Sequence, residues 1–180
     1  MSAQPAREPP SLRARVALGE SGRANVSTGL PVLDRLLELL AAHASFELSL
    51  EVAAGAPEAE LAAAGRAFGE ALWEPLRGQN VRGHGSASVP ADEALAHVAL
   101  EASGRPRLVS NVDLSAERIG GLRIDVVSGF LNELAHGAGL TLHVRLLHGD
   151  DPTHVLEAIF KSLGVALAQA WRPKAARKEQ

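Results

Sequence analysis

The sequence predicts a mixed α/β fold in which two similar halves pack on each other. Residues 31–73 and 125–171 share the spacing of their apolar side chains. Each stretch joins a helical apolar pattern to an alternating strand pattern, and then to a second helical pattern. Two copies are fewer than a stacked solenoid needs, so we expect a closed pseudo-symmetric unit with helices on one face of each sheet.

The internal repeat is defined by the apolar positions of the two stretches, which match when one extra residue is allowed in the loop. The matched pairs are Val32 with Val126, Leu36 with Phe130, Leu37 with Leu131, Leu40 with Leu134, Leu48 with Leu142, Leu61 with Leu156, and Leu72 with Leu167. Since these residues recur at helix and strand spacing, we expect both members of each pair to occupy equivalent places in the core.

The elements of the first half follow from periodicity. Alternation predicts a strand over 12–18, and the turn-rich segment after it is expected to join two strands of a hairpin. Apolar residues at i, i+3, i+4 and i+7 predict a helix over 32–42. A strand over 46–52 and a helix over 59–73 complete this half.

The second half shows a similar order after a Gly-rich connection. We predict strands over 87–89, 94–102, 108–114 and 140–147, and helices over 124–135 and 153–171. The predicted domains are a mobile tail (1–10), a first half-domain (11–79), a second half-domain (80–173) and a charged tail (174–180).

Composition excludes several functional classes. Hydrophobic residues make up 46%, charged residues 22%, and the formal net charge is -3, which favours neither nucleic acid nor a membrane as partner. Without cysteine the chain has no disulfides, thiolate catalysis or thiolate metal ligands. No apolar stretch approaches the ~18 residues of a membrane span. The N-terminus lacks the apolar core of a secretory signal, so we expect a cytoplasmic protein.

Three long strings of the sequence carry a family resemblance. They are STGLPVLDRLLELLAAHASFEL, VPADEALAHVALEASGRPRLV and LTLHVRLLHGDDPTHVLEAIFKSLGVAL. Together they resemble the imidazoleglycerol-phosphate dehydratases, lyases of histidine biosynthesis, over roughly residues 12–171. The resemblance implies an α+β sandwich of two ribosomal-protein-S5-domain-2-like half-domains, each a four-stranded sheet with two helices. It also implies a shell of twenty-four subunits with active sites between subunits.

The resemblance also implies metal chemistry. Family members remove water from a glycerol phosphate carried on an imidazole ring, and a metal on the ring nitrogen stabilises the negative charge that builds there. Two Mn²⁺ ions are typical. Their ligands are a His early in the first helix of each half and a His-His-x-x-Glu motif at the start of the second helix. Imidazoles and carboxylates suit such cations.

Most of these ligand positions are replaced in the present chain. The replaced positions hold Arg35, Glu58, Ala59, Ala62, Gly129 and Thr153. By the resemblance, only His154 and Glu157 keep the family's residue types. Two ligands bind a metal weakly unless another subunit contributes more, so we expect no cofactor and interpret both as solvated residues at a helix N-terminus.

Arg35 stands where the resemblance places a metal-bound imidazole. A guanidinium there puts a fixed cation at the former metal position and repels Mn²⁺. We expect it either to lie on an exposed helix face or to pair with a carboxylate. The candidate carboxylates are Glu58 and the Glu157 of a neighbouring subunit.

The phosphate-binding positions are only partly kept. Arg105 in SGRP and Lys161 in IFK match residues that bind phosphate in the family. A further family arginine falls at Gly83, although the adjacent Arg82 could serve after a register shift. The family's C-terminal Ser/Lys phosphate loop has no counterpart after Trp171.

These observations leave three functional hypotheses. The first is a histidine-biosynthesis homologue with impaired or no dehydratase activity, which assembles into the shell or joins an active paralogue as a structural or regulatory subunit. The second is an active dehydratase with a rearranged site. The third is a module that binds a phosphorylated imidazole through the remaining phosphate residues. A Ser hydrolase is rejected, because the chain has no G-x-S-x-G turn.

Overall fold

The structure, a computed structural model, describes residues 13–17, 21–52, 58–113 and 118–175. In chain order the elements are β1 (Arg13–Ala17), β2 (Ala24–Ser27), α1 (Pro31–Ala44), β3 (Glu47–Glu51), α2 (Glu58–Trp73), β4 (His84–Ala91), β5 (Ala94–Glu101), β6 (Arg107–Ser110), β7 (Arg118–Ile119), β8 (Leu122–Arg123), α3 (Ile124–Ala138), β9 (Thr141–His148) and α4 (Pro152–Ala170). The predicted mixed α/β class is therefore confirmed.

Two sheets carry the same central arrangement. In the first, β3 lies between an antiparallel β1 and a parallel β2. In the second, β9 lies between an antiparallel β5 and a parallel β6, and β4 extends the β5 edge. Each parallel pair is joined through one helix, α1 or α3, in the β-α-β connection that parallel strands require.

The sheets differ from the predictions in three respects. The hairpin expected between the first two strands does not form, because β1 and β2 each pair with an edge of β3. The first sheet has three strands among the described residues, where four were expected. The predicted strand over 108–114 ends at Ser110, and the short β7–β8 hairpin was not predicted, since two-residue strands leave no periodicity to read.

Helix boundaries follow local sequence signals. Pro31 and Pro152 occupy the first turns of α1 and α4, where the missing N–H costs nothing. The first helix of each half ends at a residue in the left-handed conformation, Ser45 (φ 56°) after α1 and Gly139 (φ 60°) after α3. The matching ends agree with the internal repeat.

Burial follows the repeat closely. Six of the seven matched apolar pairs are buried in both halves, and Val32 and Val126 are partly buried in both. The positions that superpose in sequence are therefore equivalent in the core. The boundary at residues 79/80 between half-domains stays a prediction, and the predicted tail 1–10 and most of the tail 174–180 lie outside the described residues.

The helices pair across the repeat. α1 packs on α4 and α2 packs on α3, so each helix contacts a helix of the other half. Glycines permit this approach. A Cβ on Gly69 would collide with Leu134 O and lie 2.7 Å from Ala138 N, and one on Gly164 would collide with Leu40 O. No helix in the described parts of the chain is long and apolar enough to cross a bilayer.

Enlarging a contact glycine should destabilise the protein. We expect Gly69→Ala to lower the free energy of unfolding by about 1–3 kcal/mol, since the added methyl forces α2 and α3 apart. The matched control is Gly129→Ala in α3, where a Cβ meets nothing within 4 Å. That change should raise stability by about 0.5–1 kcal/mol through helix propensity. Urea denaturation followed by circular dichroism measures both; equal effects of the two substitutions would contradict the packing account.

Candidate functional site

The starts of α1 and α4 enclose an apolar cleft of about 220 Å³. Its lining residues are Pro31, Val32, Arg35, Leu36, Ile119, Thr153, Leu156 and Glu157. Three residues at positions that the family resemblance matches to metal ligands, Arg35, Thr153 and Glu157, therefore meet in one cleft although they come from different halves of the chain. The cleft brings together one cation, one carboxylate and one hydroxyl within an otherwise apolar wall.

Arg35 does not form an ion pair with Glu58, one of its two candidate partners. Its guanidinium is exposed and lies 3.9 Å from Glu38, one turn further along α1. Glu58 instead pairs with Arg123 at 3.1 Å. Glu157 lies 3.9 Å from Lys161 on the next turn of α4. Since both contacts are long and solvent-accessible, the charges of Arg35 and Glu157 are only weakly compensated.

His154 does not face the cleft as a free ligand. Its Nδ1 lies 2.6 Å from Glu93 Oε2, and its Nε2 lies 3.4 Å from Asp92 Oδ2. Both carboxylates belong to the turn between β4 and β5. The prediction that His154 is simply solvated is therefore wrong in this respect, since both ring nitrogens face acidic partners. Sequence reasoning missed Asp92 and Glu93, because no local pattern reveals that this turn contacts the start of α4.

Glu93 joins the turn to the residues immediately before α4. Its Oε1 accepts hydrogen bonds from the backbone N–H groups of Asp150 (3.4 Å) and Asp151 (3.0 Å). The N–H of Asp151 and the ring of His154 lower the pKa of Glu93 to about 2. The hydrogen bond to Glu93 raises the pKa of His154 above its ordinary value of 6.5. The contact with Glu93 therefore favours the protonated form of the imidazole and fixes the orientation of its ring.

The second set of former ligand positions lies where α2 meets α3. Glu58 and Ala59 are exposed at the start of α2, and Ala62 lies one turn on. Gly129 in α3 faces open space. Arg123, immediately before α3, donates to Glu58 and also to Asp125. An Arg–carboxylate cluster therefore stands beside the positions where the family resemblance expects imidazoles.

The donor set does not fit a metal within one chain. Among the described residues, no three or more His, Asp or Glu side chains are grouped so that they could hold an ion. In the α1–α4 cleft only Glu157 offers a negatively charged ligand, and Arg35 lines the same cleft. A catalytic Mn²⁺ or Zn²⁺ site needs about three protein ligands. Any metal would therefore need ligands beyond those that these residues bring together.

The residues matched to phosphate binding lie apart. Arg105 sits on the loop after β5, where Ser103 and Thr141 hydroxyls donate to its carbonyl at 3.3 Å and 3.0 Å. Its side chain is exposed and forms no ion pair with a described residue. Lys161 lies on α4 beside Glu157, whereas Arg82 lines a different surface cavity together with Arg172. Their roles in binding phosphate remain predictions.

Comparison with known proteins identifies the class. The sequence pattern of the imidazoleglycerol-phosphate dehydratase family matches residues 28–167. The imidazoleglycerol-phosphate dehydratase of Acetivibrio thermocellus is 40% identical over 157 residues, which cover 84% of this chain and 80% of that protein. The Staphylococcus aureus dehydratase structure superposes with a TM-score of 0.83 at 30% identity, covering 91% of this chain and 94% of that one. The Pyrococcus furiosus structure, at 24% identity, shares the fold with a TM-score of 0.80.

The chain therefore belongs to the imidazoleglycerol-phosphate dehydratase family, and it is a homologue of these histidine-biosynthesis lyases. The resemblance inferred from the three sequence strings is confirmed. The prediction that the protein uses no cofactor is wrong, because dehydratases of this family use Mn²⁺. Ligand losses within a single chain do not exclude a metal in such a family, whose members are oligomeric.

The acidic turn should make stability depend on pH in two windows. The lowered pKa of Glu93 stabilises the folded state above about pH 4.5, and this contribution is lost as the pH falls toward 2. The raised pKa of His154 stabilises the folded state below about pH 6.5, and this is lost as the pH rises through the folded value. We expect Glu93→Gln to flatten both limbs of the free energy of unfolding against pH.

The control for that measurement is Glu101→Gln. Glu101 is an exposed carboxylate at the other end of β5, and its substitution should leave both limbs unchanged. NMR titration of the His154 ring in the two variants gives a second readout. An unchanged His154 titration in Glu93→Gln would show that the Glu93 hydrogen bond does not form in solution.

Proposed function

We propose that this chain is a dehydratase-family subunit with impaired dehydratase activity, which serves a structural or regulatory role in histidine biosynthesis. One observation carries the proposal: Arg35, Thr153 and Glu157 share a single cleft in which only Glu157 is a residue type that the family uses as a ligand. The one remaining imidazole, His154, is held by Glu93 and Asp92.

The chemistry explains why activity should fall. Removing water from the substrate requires the loss of a weakly acidic C–H proton while negative charge builds on the imidazole ring. Electrostatic stabilisation of such charge usually contributes more to catalysis than any other effect, and deleting one preorganised group costs about 10²–10³-fold in rate. A subunit whose own residues do not assemble the ligand set therefore loses the main source of the rate enhancement.

Retention of the core supports a role in assembly. Six of the seven repeat pairs are buried in both halves and the contact glycines are present, so the chain retains the packing that a family subunit needs in order to fold. We place the chain in the cytoplasm as part of a shell of twenty-four family subunits, either alone or with an active paralogue. In a mixed shell, a paralogue's side chains would complete the sites that lie between subunits.

The alternative is an active dehydratase whose site is completed differently. Arg35 and Arg123 would then provide part of the charge stabilisation, and neighbouring subunits would supply the missing metal ligands. This alternative predicts near-normal turnover of the chain on its own, so it is separated from the first proposal by one assay.

A third function, binding of a phosphorylated imidazole, draws support from Arg105. Its loop is fixed by Ser103 and Thr141 while its guanidinium remains unpaired with any described carboxylate. A guanidinium in this state can bind phosphate through two parallel hydrogen bonds. Calorimetry with imidazoleglycerol phosphate should then show heat that Arg105→Ala removes, and equal heats in both proteins would count against it.

The assay of the purified chain decides between impaired and normal activity. With imidazoleglycerol phosphate and added Mn²⁺, we expect turnover at least about 10³-fold below that of the Acetivibrio thermocellus dehydratase under the same conditions. The same assay with the two proteins mixed, combined with native mass spectrometry, tests co-assembly. Turnover of the chain alone within about tenfold of the relative would contradict the proposal.

Restoring imidazoles to the cleft tests whether it corresponds to a metal position. We expect the double variant Arg35→His, Thr153→His to bind Mn²⁺ at least about tenfold more tightly than the parent, because two imidazoles would then face Glu157. Isothermal titration calorimetry measures this difference. The matched control is Arg35→Gln, Thr153→Gln, which removes the same cation without adding imidazole ligands. Equal affinities in the two double variants would show that these three side chains do not converge on one ion.

A further inference from the structure

A second apolar cavity opens between β6 and α3. It has a volume of about 220 Å³, and we call it the β6–α3 pocket. Ser110 of β6 and Ser128 of α3 line it, and every other described residue in its wall is a leucine, an isoleucine or a valine. Two of these, Val144 of β9 and Ile159 of α4, are only 2% exposed, so the pocket reaches into the core of the second half.

A serine interrupts the apolar row on the inner face of β6. Side chains alternate in direction along a strand, so Ser110 lies on the same face as Leu108. Ser110 pairs in register with Val144, which is buried on the inner face of β9. A large apolar side chain would close the core at this point, whereas the small side chain of Ser110 leaves it open and remains exposed.

A second serine interrupts the apolar stripe of α3 across the pocket. Ile124, Val127 and Leu131 are buried, and they recur with the spacing of one helix face. Ser128 belongs to the same stripe, four residues after Ile124, but its side chain is exposed. The pocket is therefore the space that two small side chains leave between the strand and the helix.

The strand wall of the pocket is fixed by Asn111. Its Nδ2 donates to Leu146 O at 3.2 Å, and its Oδ1 accepts from Leu146 N at 2.8 Å. These two hydrogen bonds continue the pairing between β6 and β9 beyond the last residue of β6. Ser110 is also held in place, because its Oγ accepts a hydrogen bond from Val112 N at 3.0 Å. The wall is thus preformed, so little conformational entropy is lost when a ligand enters.

The lining favours an uncharged ligand. Among the described residues that line the pocket none is ionisable, so a charged group inside it would lose water without gaining a counter-ion. The hydroxyls of Ser110 and Ser128 offer donors and acceptors to one small polar group. Apolar cavities of about 150 Å³ take up benzene-sized molecules, so this pocket has room for one ring with a short substituent.

The pocket adjoins the α1–α4 cleft through one side chain. Leu156 lines both cavities and immediately precedes Glu157. A ligand in the pocket therefore contacts a residue that also forms the wall of the cleft. Such a ligand can influence the cleft to the extent that it favours one position of Leu156 over another.

We propose that the β6–α3 pocket binds a small, uncharged and mainly apolar molecule, namely a ring compound with one hydroxyl or carbonyl group. The ring lies against Val127, Leu131 and Ile159, and the polar group meets the two serines. This class of ligand differs from the phosphorylated imidazole considered for the candidate substrate site. The proposal is therefore independent of whether the chain is an active dehydratase.

Methyl NMR of the full chain, titrated with benzyl alcohol, tests the pocket. We expect saturable shifts of the methyl signals of Val127, Leu131, Leu156 and Ile159, with a dissociation constant of about 1 mM for a ligand of this size. Benzylammonium keeps the ring but carries a charge, and it should bind at least about tenfold more weakly. Equal affinity for the two compounds would contradict the assigned class of ligand.

Filling the pocket gives the site-specific test. Ser110→Leu and Ser128→Leu each place a larger apolar side chain in the open space and should abolish the saturable shifts. Both serines are exposed, so each variant should fold, and its thermal midpoint of unfolding checks this. The matched control is Ser49→Leu, the same substitution at an exposed position of β3 outside the pocket, which should leave binding unchanged. Undiminished binding in both pocket variants, or shifts that grow without saturation, would overturn the proposal.

Discussion

The close approach of helices from opposite halves is the constraint on which this structure depends. Gly65, Gly69 and Gly137 allow backbone contact between α2 and α3, and Gly164 does the same between α1 and α4. A methyl group at any of these positions would meet backbone atoms, which cannot move aside as a flexible side chain can. The helices of each half are therefore covered by the helices of the other half.

This crosswise packing decides which residues can act together. Because α1 begins beside α4, the cleft combines Arg35 from the first half with Thr153 and Glu157 from the second. Because α2 begins near α3, Glu58 meets Arg123. The two former ligand regions thus correspond across the repeat, and each now holds an arginine. Ion pairing and apolar contact occur at the places that the family resemblance matches to imidazole ligands, while the core beneath them keeps the repeat pattern.

The residue that most resembles a surviving ligand also contributes to local stability. A contact with Glu93 joins His154 to the β4–β5 turn, and the other Glu93 oxygen accepts hydrogen bonds from the N–H groups of Asp150 and Asp151, just before α4. Asp151 caps the same helix by accepting hydrogen bonds from Thr153 and His154. These contacts fix the orientation of the imidazole at the start of α4.

The sequence by itself determined the fold class, the order of the main elements, the repeat and the family, since apolar periodicity and short motifs are local properties. It placed α1, α2, α3 and α4 within a few residues. It predicted a hairpin where β1 and β2 in fact flank β3, and it missed the Glu93–His154 contact. Only the tertiary structure decided these features, because they depend on contacts between distant parts of the sequence. Residues 93 and 154, for example, are about 60 positions apart. Packing selects the partner of each strand and side chain, and no local sequence pattern predicts that choice.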